Sequence, residues 1–150
     1  MKYLVRARTG RELACVLFGS AAWQIAARDG YIGWDRMTRE ANLRLVTNNT
    51  RYLVLPWVDI PCLASHVLAR VACRVSSDWM EKYGHPISLL ETFVDRERFL
   101  GTCYKAANWV FVGQTKGRTR NDRYIAIQAP RKDIYLYPLS KQWRRELLSC

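Results

Sequence analysis

The run from Arg51 to Asp95 limits the folds open to this chain more than any other stretch, because a strand pattern gives way there to a helical pattern and then to a second strand pattern. "RYLVLPWV", Arg51 to Val58, is apolar on both alternating faces from Tyr52 to Leu55, as expected of a strand covered on both sides in the middle of a sheet. Leu63, Val67, Leu68, Val71, Ala72, Val75 and Trp79 then recur every three to four residues as far as Tyr83-Gly84. That spacing predicts one long helix closed by Gly84. "PISLLETFVD", Pro86 to Asp95, reads as the next buried strand, Glu97 to Asn108 has helical spacing, and Trp109 to Gln114 returns to a strand pattern. A series of strand, helix, strand, helix, strand predicts an α/β sheet with helices on both faces.

The flanks extend this frame. Tyr3 to Arg8 and Glu12 to Phe18 are β-rich runs joined by Thr9-Gly10-Arg11, the composition of a tight hairpin turn. Thr38 to Leu45 carries a short helical pattern, ended by Asn48-Asn49-Thr50, and Tyr124 to Gln128 and Asp133 to Tyr137 read as two last strands before a basic tail, "KQWRRELL". At 150 residues, with no internal repeat and no linker, residues 1–150 are expected to form one domain. The N-terminal "MKYLVRARTG" has charges where a secretory signal needs a continuous apolar stretch, and no apolar run reaches 18 residues. A soluble cytoplasmic protein without a membrane partner is the expectation. The five cysteines, odd in number and without a CxxC pair, are expected to be reduced, buried thiols.

Charge points to a partner. The formal net charge is +11, and residues 101–150 hold 10 cations against 3 anions. "GQTKGRTRNDR" brings Lys116, Arg118, Arg120 and Arg123 together around Gly113 and Gly117, and Arg131, Lys132, Arg144 and Arg145 follow. Glycines let a loop press its backbone against phosphate, and arginines supply forked donors to phosphate oxygens. The pattern suits a nucleic-acid backbone, which DNA and RNA share, and equally a solvated loop or a protein-binding surface.

Other chemistries fail on spacing. Glu91 and Asp95 are four residues apart on one strand, roughly 13 Å, too far for a hydrolytic carboxylate pair. Cys62, His66 and Cys73 share a helical stripe, but Cys62 and Cys73 are roughly 16 Å apart along it, beyond the reach of one metal ion. No metal site is expected. Neither His66 nor His85 lies in a motif that would activate Cys103 as a nucleophile, and Lys116-Gly117-Arg118 lacks the glycines that precede the lysine of a phosphate-binding P-loop.

"FGSAAWQIAARDGYIGW", "NNTRYLVLPWV", "LASHVLARV", "LLETFVD" and above all "GTCYKAANWVFVGQTKGRTR" closely resemble the domain of DruA proteins of the Druantia anti-phage system, which is also found fused ahead of some transposases. The resemblance runs nearly from end to end. It implies a role in phage defence or mobile elements alongside other proteins of those systems, and no fixed biochemical activity. Members of that family have a substantial segment before the hairpin, so the chain is expected to be N-terminally truncated relative to them.

The series of elements up to "FLGTCYKAANWVFVG" also resembles the GNAT acyltransferases. That likeness implies a mixed, mainly antiparallel sheet with helices on both faces, and places Tyr104 at the family's proton-donating tyrosine. Acetyl-CoA or another acyl-CoA would then be the cofactor, with Tyr104 as acid and Glu91, on the strand before it, as a partly buried base. Against this, "VDIPC" before the long helix has no glycine for the cofactor's phosphates, and Asp59 and Pro61 read better as the helix's cap and first residue. Three roles follow: a nucleic-acid-binding domain, an acyltransferase, or a non-catalytic structural subunit of a larger assembly.

Overall fold

The computed structural model describes residues 1–117 and 130–149. Its strands are β1 (Lys2–Arg6), β2 (Glu12–Ser20), β3 (Val46–Val54), β4 (Leu89–Asp95), β5 (Val110–Gln114) and β6 (Lys132–Pro138). They form one sheet in the order β1-β2-β3-β4-β6-β5. Every neighbouring pair is antiparallel except β3 and β4, which run parallel. The helices are α1 (Ala26–Ile32), α2 (Arg36–Asn42), α3 (Leu63–Ala72), α4 (Val75–Tyr83), α5 (Thr102–Ala106) and α6 (Trp143–Leu148). None of the described helices is long and apolar enough to cross a membrane.

The period of two along each strand divides the core between the two faces of the sheet. On one face Val16, Phe18, Leu90, Val94 and Tyr135 meet Val67, Leu68 and Val71 of α3, Val75 and Trp79 of α4, and Tyr104 of α5. On the other Val46, Leu89, Ile134 and Leu136 meet Ile32 of α1 and Trp143 and Leu147 of α6. The expected α/β sheet with helices on both faces is the observed architecture.

Several elements differ from the sequence reading. The single long helix is two, because Arg74 leaves helical geometry at φ −126°. Val71, Val75 and Trp79 keep one buried stripe across the break, so the period persists through it. Asn48, Asn49 and Thr50 do not end a helix; a 3-10 turn at Leu43–Leu45 does, and the three residues lie inside β3. The apolar run after them is not covered on both sides: Leu53 is 53% exposed. The helix expected over Glu97–Asn108 shrinks to α5, since Asp95 accepts the N–H groups of Glu97 and Phe99 in a separate turn and Gly101 interrupts with φ +69°. Helices α1 and α6 lie in stretches where the sequence reading placed none. The expected strand Tyr124–Gln128 lies outside the described residues.

The thiols also differ from expectation. Cys62 and Cys73 are exposed, and Cys15 and Cys103 are half-buried; all four are free.

Candidate functional site

In open α/β sheets, the carboxyl ends of parallel strands are where ligands collect. Here that place is the junction of β3 and β4, whose ladder covers only Val46–Asn48 against Leu89–Glu91. Beyond it the strands part. Thr92 Oγ1 donates to Asn49 O at 3.2 Å where the parting begins. A register shift against β2, between Leu17 and Phe18, leaves Thr50 unpaired as a bulge. Asn49 bridges that bulge, donating from Nδ2 to Leu17 O at 2.9 Å and Arg51 O at 3.0 Å.

Tyr104 closes this junction from α5, its hydroxyl donating to Asn49 Oδ1 at 2.7 Å. Its ring lies edge-on to Trp109 at 5.1 Å and stacks on Tyr135 at 6.1 Å. Burial pushes the Tyr104 phenol up to about 12, so it is neutral at ordinary pH. The proton that an acid role requires is therefore present, but it is held by a buried amide. Burial likewise pushes the neighbouring Cys103 thiol up, which disfavours a nucleophilic thiolate.

Glu91 lies on the opposite face, because alternation sends Leu89, Glu91 and Phe93 one way and Leu90, Thr92 and Val94 the other. The sheet stands between Tyr104 and Glu91, so they cannot serve one substrate as acid and base. Nor is Glu91 a partly buried carboxylate. It is fully buried, pairs with Arg28 Nη1 at 2.9 Å, and accepts the Ala22 N–H at 2.7 Å. Burial pushes its carboxyl up, while Arg28 and the Ala22 N–H pull against that shift. Arg28 also donates to Ala22 O at 2.7 Å and to Asp29 Oδ1 at 2.9 Å, and Arg39 reaches Asp29 Oδ2 at 3.4 Å. Two guanidinium and two carboxylate groups thus clip the β2–α1 connection and α2 to the middle of the sheet. Glu91 was singled out from the sequence; its partners Arg28, Asp29 and Arg39 were not, since buried and solvated charges look alike in one dimension.

The start of α3 corrects another reading. Its N-cap is Cys62, in left-handed geometry at φ +59°, with no side-chain cap bond, so neither Asp59 nor Pro61 holds the expected position. Among the described residues no group of three or more potential ligands could hold a metal ion.

The sheet gathers several of the cations at one end. The register places the ends of β4 and β5 and the start of β6 together, with Asp95 opposite Lys132 and Thr115 N–H bonded to Lys132 O at 2.9 Å. Arg96, Arg98, Lys116, Arg131 and Lys132 belong to this end, as do Arg8 and Arg11 of the β1–β2 hairpin. Among the described residues, the ion pairs here are Arg96–Asp133 at 3.5 Å and Arg6–Glu12 at 3.2 Å. Arg118, Arg120 and Arg123 lie outside the described residues. Arg144 and Arg145 lie instead on α6, which packs with α1 against one face of the sheet. Helix α6 follows the end of β6, where Ser140 Oγ donates to Glu146 Oε1 at 2.8 Å. The Arg144 guanidinium sits 4.6 Å from the Trp143 ring and 4.8 Å from the Tyr31 ring. Among the described residues, Lys116, Arg131 and Lys132 thus lie at the end of the sheet and Arg144 and Arg145 on α6.

Comparison with known proteins comes down to a family and a fold. Residues 1–129 match the family model described as Druantia protein DruA. No curated protein sequence matches the chain. Among solved structures, an N-acetyltransferase from Staphylococcus aureus Mu50 is similar with a TM-score of 0.56 and 14% identity, over 93% of this chain and 67% of that one. A ribosomal-protein-S5-alanine acetyltransferase from Vibrio fischeri is similar with a TM-score of 0.54 and 10% identity, over 93% of this chain and 62% of that one. At these identities the likeness is one of fold, the GNAT-like fold expected from the sequence. The chain spans about two thirds of the length of either acetyltransferase.

Proposed function

The chain belongs to the DruA family, and on that premise we propose that it is a nucleic-acid-binding domain of an anti-phage defence or mobile-element system. It contacts the sugar–phosphate backbone through the end of the sheet where β4 finishes and β6 begins, and works beside other proteins of its system. One observation carries this reading: the gathering of Arg96, Arg98, Lys116, Arg131 and Lys132 at that end. The carboxylates nearby are partly occupied, Asp133 by Arg96 and Gln114, and Asp95 by the Glu97 N–H. Cations held this way displace condensed counterions from a polyanion.

The test is binding of a labelled 20-nucleotide oligonucleotide at a series of salt concentrations. Five phosphate contacts give a log–log slope of about −4. The double variant Arg131→Ala, Lys132→Ala flattens the slope by about 1.5 to 2. Binding that ignores both salt and these substitutions refutes the proposal.

A second reading, an acyl-CoA-dependent transferase with Tyr104 as proton donor, draws support from the likeness of fold. The commitment of the Tyr104 hydroxyl to Asn49 and the lack of glycine from Leu55 to Cys62 count against it.

A further inference from the structure

Large apolar side chains border the basic end of the sheet. Phe99 is 60% exposed and lies under the Arg98 guanidinium, 5.6 Å from it. Leu100, 79% exposed, leads into Gly101, whose backbone is so close to Tyr135 that a Cβ there would be 3.0 Å from the Tyr135 hydroxyl. Phe111, 51% exposed on the edge strand β5, stands edge-on to the same Tyr135 ring at 5.7 Å. Gly101, which directly follows Phe99 and Leu100, and Phe111 thus both abut the Tyr135 ring, near Arg96 and Arg98 on one side and Lys116, Arg131 and Lys132 on the other. Large apolar side chains left in water beside one another in the fold mark a place where something binds.

The neighbourhood limits what that is. Cations call for a polyanion, and exposed rings call for flat apolar faces on the same molecule. A duplex turns its phosphates outward but hides its bases in the stack, whereas a single strand presents both. Building on the nucleic-acid reading above, we infer that this site takes single-stranded nucleic acid, with bases stacked on Phe99 and Phe111 and the backbone held by Arg98, Arg131 and Lys132.

The experiment measures the affinity of the full chain for fluorescein-labelled dT20, rU20 and a 20-bp DNA duplex by anisotropy. At least one single strand binds tenfold or more tightly than the duplex, and the better of dT20 and rU20 identifies the sugar. Phe99→Ala and Phe111→Ala each weaken that strand about tenfold and leave duplex affinity unchanged. Phe99→Leu, which keeps apolar bulk without the ring, behaves like Phe99→Ala. Phe99→Trp retains binding, and its emission is quenched when the strand is added. Equal affinity for strand and duplex overturns the inference. So do Phe99 and Phe111 variants that bind the strand normally while Arg131→Ala, Lys132→Ala weakens it, an outcome that leaves the broader nucleic-acid reading intact. Loss of both readings is signalled by oligonucleotide affinities that none of these substitutions alters.

Discussion

Asn49 shows how one side chain can hold a junction together. Its amide nitrogen satisfies two carbonyls that the β3 bulge would leave open, and its amide oxygen receives the Tyr104 hydroxyl. Glu91 plays the corresponding part on the opposite face, but with charge. Replacing it with glutamine keeps the shape and leaves the fully buried Arg28 guanidinium short of its partner. Breaking a buried pair by removing one member costs about 3–5 kcal/mol. Glu91→Gln is therefore expected to lower the unfolding free energy by that amount, read as a lower denaturant midpoint at constant m-value, and the double change Arg28→Met, Glu91→Leu to recover much of the loss. A carboxylate serving only as a base would instead leave the midpoint where it was. Glu91 was legible in the sequence as a notable residue but not in its role, because its partner lies 63 positions away.

Elements are tied to each other by a few local devices. Tyr3 on β1 donates to Asp78 of α4 at 2.8 Å, and Arg74 pairs with the same carboxylate at 2.7 Å. The hydrogen bond from Arg74, with help from Tyr3, holds the Asp78 carboxyl below the usual carboxylate range. A depressed carboxyl contributes stability above the unfolded value of about 4 and loses it as pH falls through the folded value. Asp78→Asn is expected to reduce the fall in stability on acidification below pH ~4, measured by urea unfolding at stepped pH. Helix α5 depends on Gly101, which takes a left-handed φ of +69° against the Tyr135 ring. Gly101→Ala is expected to cost about 1–2 kcal/mol in a denaturant titration from the backbone conformation alone. The period of two was readable where burial followed it, as in β2, and the 3.6-residue repeat where it did so in α3. They misled where a break keeps its buried stripe, at Arg74, and where polar residues sit in a strand, at Asn48 to Thr50.

At the scale of the molecule, the sheet carries a helix layer on each face. The acyltransferase reading is tested at this scale, since the junction of β3 and β4 is where an open sheet would take a ligand. Tyr104, Asn49 and Thr92 already bond across that junction, and the start of α3 offers Cys62 where a phosphate would call for glycine. Acetyl-CoA at millimolar concentration is expected to leave the melting temperature unchanged; a ligand at 100 times its Kd would stabilise by about 2.7 kcal/mol and raise it by several degrees. The sequence by itself determined the α/β class, the succession of the described strands and the excess of positive charge near the carboxyl end, because periodicity and composition are local properties of the chain. Only the tertiary structure decided that Glu91 and Tyr104 stand on opposite faces and that Asp95 lies opposite Lys132. Those placements arise from strand alternation and sheet register, and register is set by contacts between residues far apart in the chain.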